Sequence, residues 1–144
     1  MVLCVRAIQN VAGVEAQMAV IDALTAACEV GGLVLLIESY LAGYEELNRD
    51  RTSLGLSPLP IHEHLTLLTP SFDAHVRRRL TLVSDEALAS SYYLITRLVY
   101  SFMAKEAGEA IDYDHPLHRV AALVPPIGDY GPLRAVAYER RGPA

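Results

Sequence analysis

The chain has no tryptophan, one lysine, two phenylalanines and two cysteines in 144 residues. Cys4 and Cys28 sit in apolar runs with no second pair and no metal-like spacing. That excludes a disulfide framework and a cysteine-ligated zinc centre, and it reads as two buried free thiols. A membrane-spanning run is also missing. The most apolar stretch, 11–44, is interrupted by Glu15, Asp22, Glu29 and Glu38, too many charges for a span. The N-terminus lacks a basic region followed by an apolar core and a cleavage site, so the expected location is the cytoplasm, or a particle assembled there. G-x-S-x-G, Walker and dinucleotide-glycine signatures are absent as well, which leans the reading away from catalysis.

What is present is apolar and unevenly charged. Hydrophobic residues make up 52% and charged residues only 20%, so less surface than usual can be covered by charge. Such a surface fits an oligomer or a partner interface. The single lysine is Lys105, and the other bases are all arginine. Arginine is more weakly hydrated than lysine and tolerates interfaces better. Eight tyrosines suit surfaces that are half wet and half dry. Up to residue 48 the only base is Arg6, against six acids. That region repels phosphate, so no nucleic-acid partner is expected. No membrane partner is expected either.

Periodicity predicts a mostly α fold: a helical bundle of about four helices over 1–114, followed by an extended, Pro-containing C-terminal tail, 115–144. The tail would pack on the domain or on a neighbouring subunit. Helices are expected at 11–30, at 33–48 after the Gly31-Gly32 break, at 70–82 behind the Thr69 cap, and at 84–107 behind Ser84-Asp85-Glu86. Segments 2–9, 61–68 and 133–140 read equally as strand or helix.

The first helix carries two different apolar surfaces. Ala12, Ala16, Ala19, Ala23 and Ala26 recur at four-three spacing, and Val14, Met18, Ile21, Leu24 and Cys28 lie roughly opposite. A surface helix ordinarily has one apolar stripe. The expectation is that the aliphatic side fills the core and the alanine side meets another subunit. Arg77, Arg78 and Arg79 are a solvated helix end on the plainest reading, with an acidic stretch of a neighbouring copy as an alternative contact. The leading functional expectation is therefore a non-catalytic helical interaction or assembly module, in a homo-oligomer or a larger particle, with no cofactor.

Two alternatives compete. All five histidines fall within 62–118. His62, His64, His75, Asp112, Asp114, His115 and His118 could supply a zinc or iron site for a small metal-dependent enzyme, provided they converge. His62-Glu63-His64 misses the H-E-x-x-H spacing, and no glutamate has a histidine three residues on, so neither zincin nor di-iron bundle geometry applies. The other alternative is a helical small-molecule-binding domain whose pocket is lined by Tyr92, Tyr93 and Phe102.

Overall fold

The computed structural model describes residues 1–142. A four-stranded mixed sheet organises the fold. Its strands are β1 (Val2–Val5), β2 (Leu33–Ser39), β3 (Leu80–Ala87) and β4 (Leu133–Arg140), in spatial order β1-β2-β4-β3. β1 and β2 are parallel, and β4 lies antiparallel to both β2 and β3. The helices are α1 (Val14–Ala27), α2 (Leu41–Ser53), α3 (Pro70–Val76), a continuous α4 over 90–107, and α5 (Pro116–Leu123). The middle of α4, Leu94–Val99, is a π-helix. The Arg97 carbonyl in this stretch accepts from Nη1 of the buried Arg51 on α2. None of these helices is long and apolar enough to cross a membrane.

The fold is thus mixed α/β, and the expected all-α bundle with an extended tail is overturned by the sheet. Three local signals were outweighed by pairing between distant segments. Residues 33–39 (LVLLIES) form a central strand, flanked by β1 and β4, with Val34 and Leu36 buried on one face and Leu35 and Ile37 half-buried on the other. A strand apolar on both faces loses its alternation and mimics a helix; helix α2 starts only after it, at Leu41. Ser84-Asp85-Glu86 looks like a helix cap but lies in β3, with Ser84 opposite Ala137 and Asp85 opposite Val136. The helix begins at Ser90 instead. Residues 133–140 become β4, between β2 and β3, so the supposed tail supplies a central strand. Segment 2–5 is a strand, and 61–68 is neither strand nor helix apart from a bridge between Leu68 and Tyr40.

One sheet face packs against α1 and α3. Ile21, Phe72, Val76, Val34, Leu36, Leu80, Val136 and Tyr138 form its core. On the other face, Leu3–Leu35–Ala137 and Val5–Ile37–Ala135 run as rows across β1, β2 and β4. Leu3 and Val5 are exposed there. In α1 and its flanking residues, Ile21 and Cys28 are buried and Val14, Met18 and Leu24 half-buried, as expected for the core side, while all five stripe alanines are exposed, Ala12 lying before the helix begins.

The end of β2 carries a carboxylate in the protein interior. Glu38 is fully buried, and its Oε1 accepts from the amides of Ala7 (2.8 Å) and Ile8 (3.0 Å). Oε2 accepts from the amide of Gln9 at 3.2 Å. The chain can wrap the carboxylate this way because Arg6 takes a left-handed turn, φ 48°. Gln9 returns the connection, its Oε1 accepting from the Ser39 amide. The buried Gln17 of α1 ties in the Ile8 and Thr66 carbonyls through Nε2. A hydrogen bond to a charged group contributes about 1.5–3 kcal/mol, and an amide left facing a donor loses the bond and its hydration together. Glu38→Gln turns one acceptor into a donor against these amides. It should lower unfolding stability by about 3 kcal/mol, seen as a fall in the urea midpoint at unchanged slope.

Candidate functional site

The cleft beside the end of β2 has a volume of about 410 Å³. Helix α2 forms one wall, α3 another, and β3, β4 and the 129–131 turn close it. Two contacts build this shape. Thr69 accepts from the Phe72 amide and caps α3, with Pro70 at the first helical position. Gly43 lets α2 approach the 129–131 turn: a Cβ there would stand 2.3 Å from the Gly131 carbonyl oxygen. Val136, Leu68 and Tyr138 are buried at the base.

Most of the charged lining is paired within itself; Glu46 and Arg49 of α2 also line the cleft. Asp73 accepts from the Tyr138 hydroxyl at 2.8 Å and from Arg77 Nε at 2.6 Å. Arg134 is held between two carboxylates, with Nε on Asp85 and Nη1 on Asp129, both at 2.6 Å. The Tyr40 hydroxyl is buried and makes no well-formed hydrogen bond among the described residues. Burial, reinforced by the Asp85 charge, pushes Tyr40 far above the ordinary tyrosine range. Burial, the neighbouring Tyr40 and the bond to Asp73 do the same for Tyr138. Both phenols therefore remain protonated donors throughout the physiological range.

A second concave surface, of about 580 Å³, lies where β3 begins and β4 finishes. Arg78, Arg79, Arg140 and Arg141 surround it beside Thr25 and Ala26 at the end of α1. Arg140 Nη1 donates to the Ala26 and Cys28 carbonyls that terminate α1, where the helix dipole favours positive charge. Arg141 Nε donates to Thr81. Arg79 has a 3.8 Å ion pair with Asp22, and Arg78 has none among the described residues. Helices α4 and α5 attach at the opposite end of the sheet, where β3 finishes and β4 begins. Their exposed connection, 106–114, carries Glu106, Glu109, Asp112 and Asp114 and no base. Of the flanking bases, Lys105 pairs with Glu106 at 3.9 Å and Arg119 is exposed.

The residues suggested for a metal do not come together. His62 and His64 stack on each other, exposed, with ring centroids 5.6 Å apart. His75 Nε2 is 2.9 Å from Asp22. His115 caps α5 by accepting from the Leu117 amide and stacks on Tyr100. The buried His118 meets the Tyr92 hydroxyl at 3.3 Å. Asp112 Oδ1 accepts from the Asp114 amide. Among the described residues no group of three or more histidine, cysteine or acidic side chains is placed to hold a metal ion. Tyr92, Tyr93 and Phe102 share no cavity: Tyr92 borders a cleft with α5, Tyr93 lies against Gly131, and Phe102 is exposed under Lys105. The arginine run 77–79 is divided: Arg77 turns to the cleft, and Arg78 and Arg79 join Arg140 and Arg141.

Sequence reasoning missed Tyr40, Asp85, Arg134 and Tyr138, because the pairing of β4 with both β2 and β3 assembles them. The doublet Arg140-Arg141 was a visible signal, but its nearness to Arg78 and Arg79 follows from Leu80 pairing with Arg140. No known family model matches the chain, and no curated protein matches it.

Because both cleft phenols are raised, the folded state keeps protons that the unfolded chain releases near pH 10. Their contribution is intact below about pH 10 and is lost as pH climbs further. Alkaline urea titrations should show stability falling above about pH 10. Tyr40→Phe, which removes an unpartnered hydroxyl, should leave neutral-pH stability nearly unchanged and flatten that decline by up to about 1.4 kcal/mol per pH unit.

Proposed function

We propose that this chain is a non-catalytic assembly module that associates with further copies of itself. The observation that carries the reading is the separation of charge to the two ends of the sheet. Four arginines gather where β3 begins and β4 finishes. The acidic connection 106–114 belongs to the helical unit whose two helices join the sheet at the other end of these strands. A second copy in the same orientation presents its acidic connection to the first copy's arginines. Such a contact is heterologous and repeats, closing into a ring or extending as a filament. The exposed alanine stripe of α1 ends at Ala26, on the border of the arginine surface, and offers a flat apolar flank that a neighbour can approach closely. Exposed Leu3 and Val5 on the open sheet face add apolar area that an assembly would cover.

Guanidinium–carboxylate contacts between exposed groups weaken as salt shortens the Debye length. Light scattering after gel filtration should give a mass above that of a single chain at low ionic strength and a smaller one at about 1 M salt. Charge reversal tests the pairing directly. Arg78→Glu with Arg79→Glu should abolish association, as should Glu109→Lys with Asp112→Lys. Mixing the two variants should restore it, since each then supplies the sign that the other lost. A single-chain mass at all concentrations and salts, or variants that assemble like the parent, would remove the reading.

A further inference from the structure

We propose that the cleft between α2 and α3 binds an uncharged, polyhydroxylated small molecule of mono- or disaccharide size. This inference is independent of self-association, because the cleft and the arginine surface share no lining residue. Its volume of about 410 Å³ falls toward the lower end of the range of small-molecule sites, about 300–1,000 Å³. It combines an apolar base, Val136 and Leu68, with charged groups at fixed positions.

The chemistry of the ligand follows from what the paired lining leaves over. Arg134 spends Nε and Nη1 on Asp85 and Asp129, which leaves further N–H groups on its guanidinium. Arg77 spends Nε on Asp73 and keeps its terminal nitrogens. Asp85 and Asp129 each use one oxygen on Arg134 and keep the other as an acceptor. The free positions therefore alternate between donor and acceptor, and each of these five charged groups already has an ion-pair partner. An anion would meet guanidiniums neutralised by their own aspartates, and a cation would meet carboxylates already holding arginine. A hydroxyl group donates and accepts at once. It can give its proton to a carboxylate and take one from the adjacent guanidinium, and both bonds are charge-assisted. Several hydroxyls on one small ring match this alternation without disturbing the ion pairs. The lining is also preorganised: Asp73 is fixed by Tyr138 and Arg77, and Arg134 by two carboxylates. Little side-chain freedom remains to be lost on binding.

Saturation-transfer NMR on the full chain tests this with D-glucose, D-galactose, D-ribose and sucrose, alongside inorganic phosphate and putrescine as charged comparators. At least one sugar should bind saturably, and its affinity should not change between about 50 mM and about 500 mM NaCl. Arg134→Met should weaken it by about tenfold or more. Arg134→Met removes two ion pairs and could impair folding, so Asp129→Asn provides the second arm: the Asp129 side chain is 71% exposed, and its loss should weaken sugar binding with the circular dichroism spectrum unchanged. The proposal is overturned if none of the sugars binds, if phosphate or putrescine binds more tightly than all of them, or if sugar binding is unaffected by Asp129→Asn in the folded protein.

Discussion

A buried negative charge holds the upper end of this fold together. Glu38 stands at the finish of a central strand, and instead of a cation it is surrounded by the amides of Ala7, Ile8 and Gln9. Such a carboxylate is tolerable inside a protein only when its lone pairs are filled. That requirement dictates the path of the chain after β1: the left-handed turn at Arg6, then a tight turn over Ile8–Asn10 that directs three successive N–H groups inward. The same turn positions Gln9 and Gln17, which draw in Ser39, Thr66 and the approach to α3. Thr66 donates back to the Gln9 carbonyl, and Leu68 to Ser39. The β1 exit, the β2 exit, α1 and the 62–69 segment are thereby one hydrogen-bonded unit.

The cleft rests on that unit. Tyr40 follows Glu38 by two residues, Leu41 donates to the Leu68 carbonyl, and Thr69 caps α3 immediately afterwards. The walls contributed by α2 and α3 therefore diverge from a common, tightly bonded point. The other walls come from β3 and β4, whose antiparallel pairing brings Asp85 beside Arg134. At the far end of the same two strands that pairing assembles Arg78, Arg79, Arg140 and Arg141. One strand pair thus serves two surfaces of different character: a cleft whose charges are largely ion-paired, and a corner where positive charge accumulates. The contrast separates the two proposals chemically, because a lining of paired charges favours hydroxyl groups and an excess of guanidinium favours carboxylates.

How far the sequence was readable depends on whether a signal was local. The Thr69-Pro70 start of α3 and the end of α4 at Ala107 are found where expected, and helix α1 falls within the expected 11–30 but runs only from Val14 to Ala27. The two buried thiols and the aliphatic core side of α1 were equally legible. The sheet was not. β2 is apolar on both faces, and that pattern carries no period of two. β3 opens with Leu80-Thr81-Leu82 but ends in Ser-Asp-Glu, a helix signature that β4 overrides from about fifty residues away. The cleft and the arginine corner were illegible for the same reason, since each needs the β3–β4 register before its members meet. Glu38 was visible only as an acid interrupting an apolar stretch. In that setting a lone acid marks either a surface or a buried carboxylate with bonded partners, and the partners here lie about thirty residues earlier in the chain.

The amides around Glu38 report most directly on this account. Native-state hydrogen exchange followed by NMR should place Ala7, Ile8 and Gln9 among the slowest class, opening only with global unfolding, even though they lie in a turn outside any strand or regular α-helix. Exchange of these three at rates typical of exposed loops, with the sheet amides still protected, would contradict it.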